Sequence, residues 1–354
     1  MNLLKKIGLF FAFIVIGWLS INGQALSGND IDKMQRNKKA TAAYNKGVDA
    51  LKTANYSVAL QFFNEAVQLN PQSALALLQR GKVKFQMKNK AGAYADFNQA
   101  VLLDNKLGEC YYALGYLYYS DDSLQKAGEL FLKATQNFYE QPEVLYYKGV
   151  VNYKLKKYQE AIDDFSKAVA LKPNFTLAIF ERGIVRLSKE EYQGALYDFR
   201  QALQSDSTFL AALNNMAVAK IRSGDFQGAI ADLDALIKKQ SKNYLAFYNR
   251  GCAKFKMKNY DAANEDFKQS QLLNADYPLV YVGLGNVCAK NGDNNKAIEQ
   301  YNAAIKLQSD NASAYLNRGL SKELTGDLDG SCVDWQKAAE LGNASAELYN
   351  NECK

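Results

Sequence analysis

The 354-residue sequence has no histidine at all. That absence excludes Ser-His-Asp and Cys-His triads, His-ligated zinc and His general bases. Prolines number only 4. The 5 cysteines include no CxxC pair and are too sparse for a disulfide-dense scaffold. Their odd number leaves at least one unpaired, or paired between molecules. The charge excess is small: 43 Lys+Arg less 37 Asp+Glu gives +6, which does not by itself imply a nucleic-acid partner. No apolar stretch reaches the roughly 18–20 residues that a membrane-crossing helix requires. What is present is 48% apolar and 23% charged residues, a composition that folds. The length exceeds one ordinary compact core and implies two or three domains, or an array of small units.

The first residues read as an export signal. Lys5 and Lys6 give a positive start, Ile7 to Leu19 is uncharged and apolar, and small residues follow around Gly23 and Ala25. This is the layout of a secretory signal peptide over residues 1–25; a retained anchor is the alternative. The first cysteine is Cys110, so none sits at the cleavage point to carry a lipid. Removing Lys5 and Lys6 leaves 41 − 37 = +4. The expected product has no integral membrane span and lies outside the cytoplasm, in the periplasm ahead of full secretion or a peripheral outer-membrane location.

One period organises the rest. Glycine recurs at Gly47, Gly81, Gly115, Gly149, Gly183, Gly251, Gly285 and Gly319, in steps of 34 (81 − 47) with one double step of 68 (251 − 183). The skipped position is Ala217. Twelve residues on, a small residue follows each: Ala59, Ala93, Ala127, Ala161, Ala195, Ala229, Ala263, Ala297 and Ser331. Four further on stands a large apolar residue: Phe63, Phe97, Phe131, Phe165, Phe199, Leu233, Phe267, Tyr301 and Trp335. Three further on it is again mostly small, from Ala66 to Ala338, with Leu236 and Ser270 as departures. Nine units of 34 residues thus fill residues 40–345 without an insertion. Spacings of 4 and 3 place the small–large–small set on one helical face, so each unit reads as two amphipathic helices. All four prolines, Pro71, Pro142, Pro173 and Pro278, fall between units, where they do not break a helix. One hairpin cannot bury its apolar face alone, so the units must stack. Residues 26–39 are polar and read as a linker or short leading helix; residues 346–354 read as a closing helix. Unit six, with Ala217, Leu233 and Leu236, is the irregular one and is expected to alter local curvature.

At this point the sequence resembles the tetratricopeptide (TPR) family. The glycine, the two small residues and the ring match that motif, although its usual tryptophan is absent from all nine units. The resemblance implies an all-α fold, a right-handed α-α superhelix (TPR solenoid) with a C-terminal capping helix. It further implies a concave groove lined by first helices, a protein or extended-peptide partner, and no cofactor or metal. Counting each unit from Ala40, the seventh position is often basic (Lys46, Arg80, Lys148, Arg182, Arg250, Arg318), as is the eleventh (Lys84, Arg186, Lys220, Lys254, Lys322). The twenty-third is Asp at Asp96, Asp164, Asp198, Asp232, Asp266 and Asp334. Every unit with a basic eleventh position has that Asp, and units three and eight lack the seventh-position base and the Asp together. The expectation is an ion-pair network inside each unit; a basic ligand groove is the alternative.

The resemblance places groove positions on the first helices. The aromatic concentration in units three and four then nominates Glu109, Tyr112, Tyr116, Tyr119, Glu143, Tyr146, Tyr153 and Lys154, with Phe180 beyond them. Tyrosine supplies apolar area and a hydroxyl at little entropic cost; the competing expectation is that many of these rings pack between units. Cys332 and Cys353, in the last unit and the closing helix, are a candidate disulfide in an oxidising compartment; a buried Cys332 with a loose thiol at Cys353 is the alternative. Cys110, Cys252 and Cys288 read as small core residues. The chaperone-tail clamp of some cytosolic members is not reproduced in units one to three, where its positions hold Tyr44, Leu78, Tyr112, Val48, Lys82 and Tyr116. The expected function is a non-catalytic protein–protein interaction scaffold or adaptor of the cell envelope, with a glycan or peptidoglycan binder as the alternative. The repeats leave little room for a catalytic domain, and no phosphate loop or metal-ligand cluster occurs. Nucleic acid is not an expected partner.

Overall fold

The computed structural model describes residues 27–353. They form 19 α-helices and, among the described residues, no strand. The export-signal expectation falls on residues 1–25, outside the described residues. No helix among the described residues is long and apolar enough to cross a membrane.

The chain divides into two compact units, 1–140 and 141–354. In the first, α1 (Gly28–Lys52) pairs with α2 (Tyr56–Leu69), α3 (Ala74–Gln86) with α4 (Lys90–Leu103), and α5 (Gly108–Ser120) with α6 (Leu124–Gln136). The second begins with the hairpins α7 (Pro142–Lys154)/α8 (Tyr158–Leu171), α9 (Thr176–Ser188)/α10 (Tyr192–Ser205) and α11 (Leu210–Ser223)/α12 (Phe226–Lys239). It continues with α13 (Tyr244–Lys256)/α14 (Tyr260–Leu273), α15 (Pro278–Lys290)/α16 (Asn294–Leu307) and α17 (Ala312–Leu324)/α18 (Leu328–Glu340), and ends with α19 (Ala344–Glu352). Within each unit, the second helix of a hairpin packs on the first helix of the next, the arrangement by which helix pairs bury a face that none can bury alone.

The hairpin turns are written locally. The N-cap of the second helix is Asn or Asp in most repeats: Asn55, Asn89, Asp225, Asn259, Asp293 and Asp327 each accept a backbone N–H of the first turn, which satisfies an otherwise orphaned donor. The residue before that cap is left-handed in all nine turns, with φ from 53° to 89°, at Ala54, Lys88, Asp122, Lys156, Glu190, Gly224, Lys258, Gly292 and Gly326. Only three are glycines, so the sequence alone gave no hint of the rule. Pro142 and Pro278 occupy the first turns of α7 and α15, where a missing N–H costs nothing. The polar leader differs from expectation: it is no separate element. Ser27 and Asp30 form a capping box, and the helix runs from Gly28 to Lys52 because no Pro interrupts it and Ala40, Ala42 and Ala43 favour its continuation.

The period-34 glycine has a specific steric cause. A Cβ at any of the eight glycines would stand 2.5–2.8 Å from the ring sixteen residues later in its own hairpin, from Phe63 at Gly47 to Trp335 at Gly319. In unit six the ring is replaced by Leu233, and there alone the glycine is replaced, by Ala217. The volume is redistributed rather than lost: Ala217, Leu233 and Leu236 are all fully buried in one cluster with Ala229 and Ala246.

The acid–base pattern is an intra-hairpin network. Arg182 donates to Asp198 through Nε (3.1 and 3.2 Å) and Nη2 (2.7 Å), while Arg186 Nη1 reaches the other oxygen at 2.7 Å. Arg80 and Lys84 meet Asp96, and Arg250 and Lys254 meet Asp266. Arg318 and Lys322 meet Asp334, and Lys220 meets Asp232 at 2.6 Å. Asp198 is completely buried, so these charges are part of the core and not a basic groove. Asp164 has only Lys148 at 2.7 Å and the Asn152 amide at 2.8 Å, and burial pushes its carboxyl above the ordinary carboxylate range. Unit one has Phe62 in place of that Asp, and its Lys46 lies over the Phe62 ring, 5.5 Å from the centroid.

Candidate functional site

The ring or branch repeated on each second helix is buried, while the residues nominated from the sequence all lie on first helices. In the first compact unit α5 presents a continuous aromatic row. Tyr112 and Tyr116 have centroids 6.5 Å apart, and Tyr116 and Tyr119 6.4 Å. Phe85 of α3 meets Tyr116 edge-on at 5.8 Å. All four rings are half-buried. Glu109, at the start of α5, pairs with Lys82 of α3, so it enters the site as half of an ion pair. Burial, together with the Glu109 carboxylate, holds the Tyr44 phenol above its ordinary range.

In the second unit the nominated residues have unlike surroundings. Tyr146 lies 5.9 Å from Phe165 and 5.2 Å from Phe175. Phe180 lies 5.7 Å from Phe199 and 4.9 Å from Phe209. Tyr248 repeats the pattern with Phe267 and Tyr277 at 5.8 and 5.1 Å. Each fifth-position ring is therefore clasped between the core ring of its own hairpin and the residue that starts the next first helix. Tyr112 has a similar pair, Phe131 and Tyr139, at 6.0 and 5.9 Å. These rings are structural on one side and half-exposed on the other. Tyr153 stands nearer the surface: its hydroxyl is 3.2 Å from Ser188 Oγ, and its ring is 5.9 Å from Tyr158. Lys154 beside it is exposed. Glu143 is held by Lys172 at 3.4 Å. On α9, burial pushes the half-buried Glu181 carboxyl up.

A polar cluster in the last repeats was not anticipated. Asn286 Oδ1 accepts from the Tyr301 hydroxyl at 2.8 Å and from Asn317 Nδ2 at 3.0 Å. A cavity of about 560 Å³ opens beside it, lined among others by Phe255, Asn286, Lys290, Asn317, Leu320 and Tyr349. A signal was available: the ring position is Tyr only in unit eight, and a buried phenol demands an acceptor. Asn286, on the preceding first helix, supplies it. A second carboxamide pair, Asn249 Nδ2 to Asn214 Oδ1 at 3.0 Å, lies on α13 and α11. Cys332 and Cys353 are joined as a disulfide, with Cα atoms 5.7 Å apart. Cys110 is buried, while Cys252 and Cys288 are only partly so; burial raises the Cys252 thiol to about 11.

Models of the tetratricopeptide repeat match residues 142–175, 214–278 and 248–304, and a TPR-repeat model matches residues 285–326. A small glutamine-rich tetratricopeptide repeat-containing protein 2 of Mycosarcoma maydis is 29% identical over 98 residues, 28% of this chain and 28% of its own length; the chain thus spans under a third of that relative. A tetratricopeptide repeat protein from Parabacteroides merdae aligns with a TM-score of 0.63 at 18% identity, over 70% of this chain and 98% of the other. YrrB, described as a TPR protein with an unusual peptide-binding site, aligns with a TM-score of 0.50 at 25% identity, over 52% of this chain and 95% of its own. The 34-residue period, the helix hairpins it encodes and these matches agree: residues 142–175 and 214–326 carry tetratricopeptide repeats, and the fold is that of a tetratricopeptide repeat protein.

Proposed function

We propose that this protein is a non-catalytic scaffold of the cell envelope that holds an extended peptide or a partner's exposed segment on its first-helix faces. The observation that carries this reading is the division of labour within each hairpin. The ring or branch repeated on each second helix is spent in the core, with Tyr56 and Tyr197 as the exposed rings of those helices, whereas first helices carry half-exposed rings and carboxamides in series at Tyr116, Tyr119, Tyr153, Asn286 and Asn317. Such side chains provide apolar contact plus hydrogen bonding to a peptide backbone. Tetratricopeptide repeat proteins are generally scaffolds that bind proteins or peptides, and the peptide-binding site described for YrrB supports the same use of the fold here. Export to the periplasm rests on the N-terminal sequence pattern, and the Cys332–Cys353 disulfide supports a compartment that oxidises thiols.

Affinity capture from envelope extract tests the reading. Wild type should retain a protein that Tyr116→Ala or Tyr153→Ala releases, with helical circular dichroism unchanged. Retention of purified glycan in place of protein would favour the sugar-binding alternative.

A further inference from the structure

We propose that the Cys332–Cys353 disulfide is a latch that controls ligand capture at the last repeats, because it pins the helix that supplies one wall of the Asn286–Asn317 cavity. The inference rests on the peptide-binding reading and adds its regulation. Helix α19 spans only Ala344–Glu352, two turns and a half, too short to be stable by itself. It packs on α18, where Ala346 is buried and Tyr349 lies over Trp335 at 5.1 Å and 31°. The same Tyr349 lines the cavity of about 560 Å³ with Phe255, Asn286, Lys290 and Asn317. The bond from Cys353, directly after α19, to Cys332 in the first turn and a half of α18 closes a loop of sequence separation 21 around the helix and its turn. Cutting it removes the covalent restraint and leaves a nine-residue helix held only by its noncovalent packing on α18, which includes Tyr349 over Trp335 and the buried Ala346. The cavity then loses a preformed wall, and a ligand must spend part of its binding energy re-ordering it.

The chemistry balances as thiol–disulfide exchange. Formation of the S–S bond from the two thiols passes two electrons and two protons to a disulfide-bearing oxidant, which leaves as its dithiol; a dithiol reductant reverses the step. Inside the cavity the Asn286 carbonyl oxygen is already occupied by Tyr301 and Asn317. The amide nitrogen of Asn286 and the amide oxygen of Asn317 are therefore the groups offered to a ligand, one donor and one acceptor, which matches the C=O and N–H of a peptide backbone.

The test uses the full chain with Trp18→Phe, so that Trp335 is the sole tryptophan. Acrylamide quenching of Trp335 is measured before and after dithiothreitol treatment, and in a Cys332→Ser/Cys353→Ser variant checked by circular dichroism. Peptides selected from a random 12-residue phage library on the oxidised chain are sorted by loss of binding to Asn286→Ala, and their affinities are compared for oxidised and reduced protein. The proposal expects quenching to rise several-fold on reduction and Asn286-dependent peptides to weaken ~10-fold. Unchanged quenching overturns the latch. Raised quenching with unchanged affinity overturns the gate. Recovery of peptides none of which depends on Asn286 overturns the site, and recovery of no peptide at all overturns the underlying peptide-binding reading.

Discussion

At Gly183 an added methyl group would stand 2.7 Å from the Phe199 ring, and that ring is completely buried. It cannot yield without displacing its neighbours, so Gly183→Ala should destabilise the protein by ~1–3 kcal/mol despite alanine's better helix propensity. The converse holds in unit six. Leu233→Phe alone should be destabilising against the Cβ of Ala217 and the side chain of Leu236, and should be largely rescued by Ala217→Gly with Leu236→Ala. A thermal-melt cycle over these variants measures the coupling; strict additivity would show that ring and glycine are independent. The buried carboxylates make a second contrast. Asp198→Ala leaves the buried Arg182 and the half-buried Arg186 without their carboxylate and should cost ~3–5 kcal/mol. Asp164→Asn strands one lysine and relieves a carboxyl whose ionisation burial disfavours, so it should cost less. The sign of its pH dependence follows. A folded-state value above the reference of 3.8 means the native state holds its proton longer. The stability Asp164 contributes is thus full below that reference and is lost as pH rises through the folded value. The melting advantage of wild type over Asp164→Asn should therefore shrink on raising pH through that window. Both networks were legible as co-occurring Lys/Arg and Asp across repeats. The glycine–ring coupling was legible only as a shared exception at Ala217 and Leu233, because the contact joins residues sixteen apart on different helices.

Where one first helix begins, the chain chooses between two devices. Ser73, Asn243 and Asn311 cap their helices with a side-chain oxygen. Phe175, Phe209 and Tyr277 make no such cap and instead pack on Tyr146, Phe180 and Tyr248. An N-cap contributes ~1 kcal/mol and an aromatic pair ~0.5–1.5 kcal/mol beyond burial, so the two are close in worth. Phe175→Asn should accordingly recover ~1 kcal/mol relative to Phe175→Ala, read from urea midpoints; equal losses would show that the ring alone matters there. This choice explains why the nominated tyrosines divide. Tyr112 and Tyr146 belong partly to the hairpin junctions, whereas Tyr116 and Tyr153 are better probes of recognition. Helix positions and repeat boundaries follow from the 34-residue period, since each hairpin repeats the same face. The continuous α1 and the left-handed turn residue do not, because six of the nine turns place an ordinary side chain at that φ.

For each compact unit as a whole, stability is approximately a sum of hairpin terms and nearest-neighbour interfaces, so a local substitution should soften its own repeat and the adjoining ones first. On the proposed reading the same regularity would spread recognition along several first helices, the Asn286–Asn317 cavity being one stretch of that surface. The account's central claim is that those helices are the binding surface. Hydrogen–deuterium exchange of the oxidised full chain, with and without a peptide selected on it, tests this most directly. The predicted result is slowed exchange in first helices such as α5, α7, α15 or α17, with second helices such as α4, α8 and α16 unchanged. Protection confined to the second helices, or abolished by none of Tyr116→Ala, Tyr153→Ala and Asn286→Ala, would contradict it.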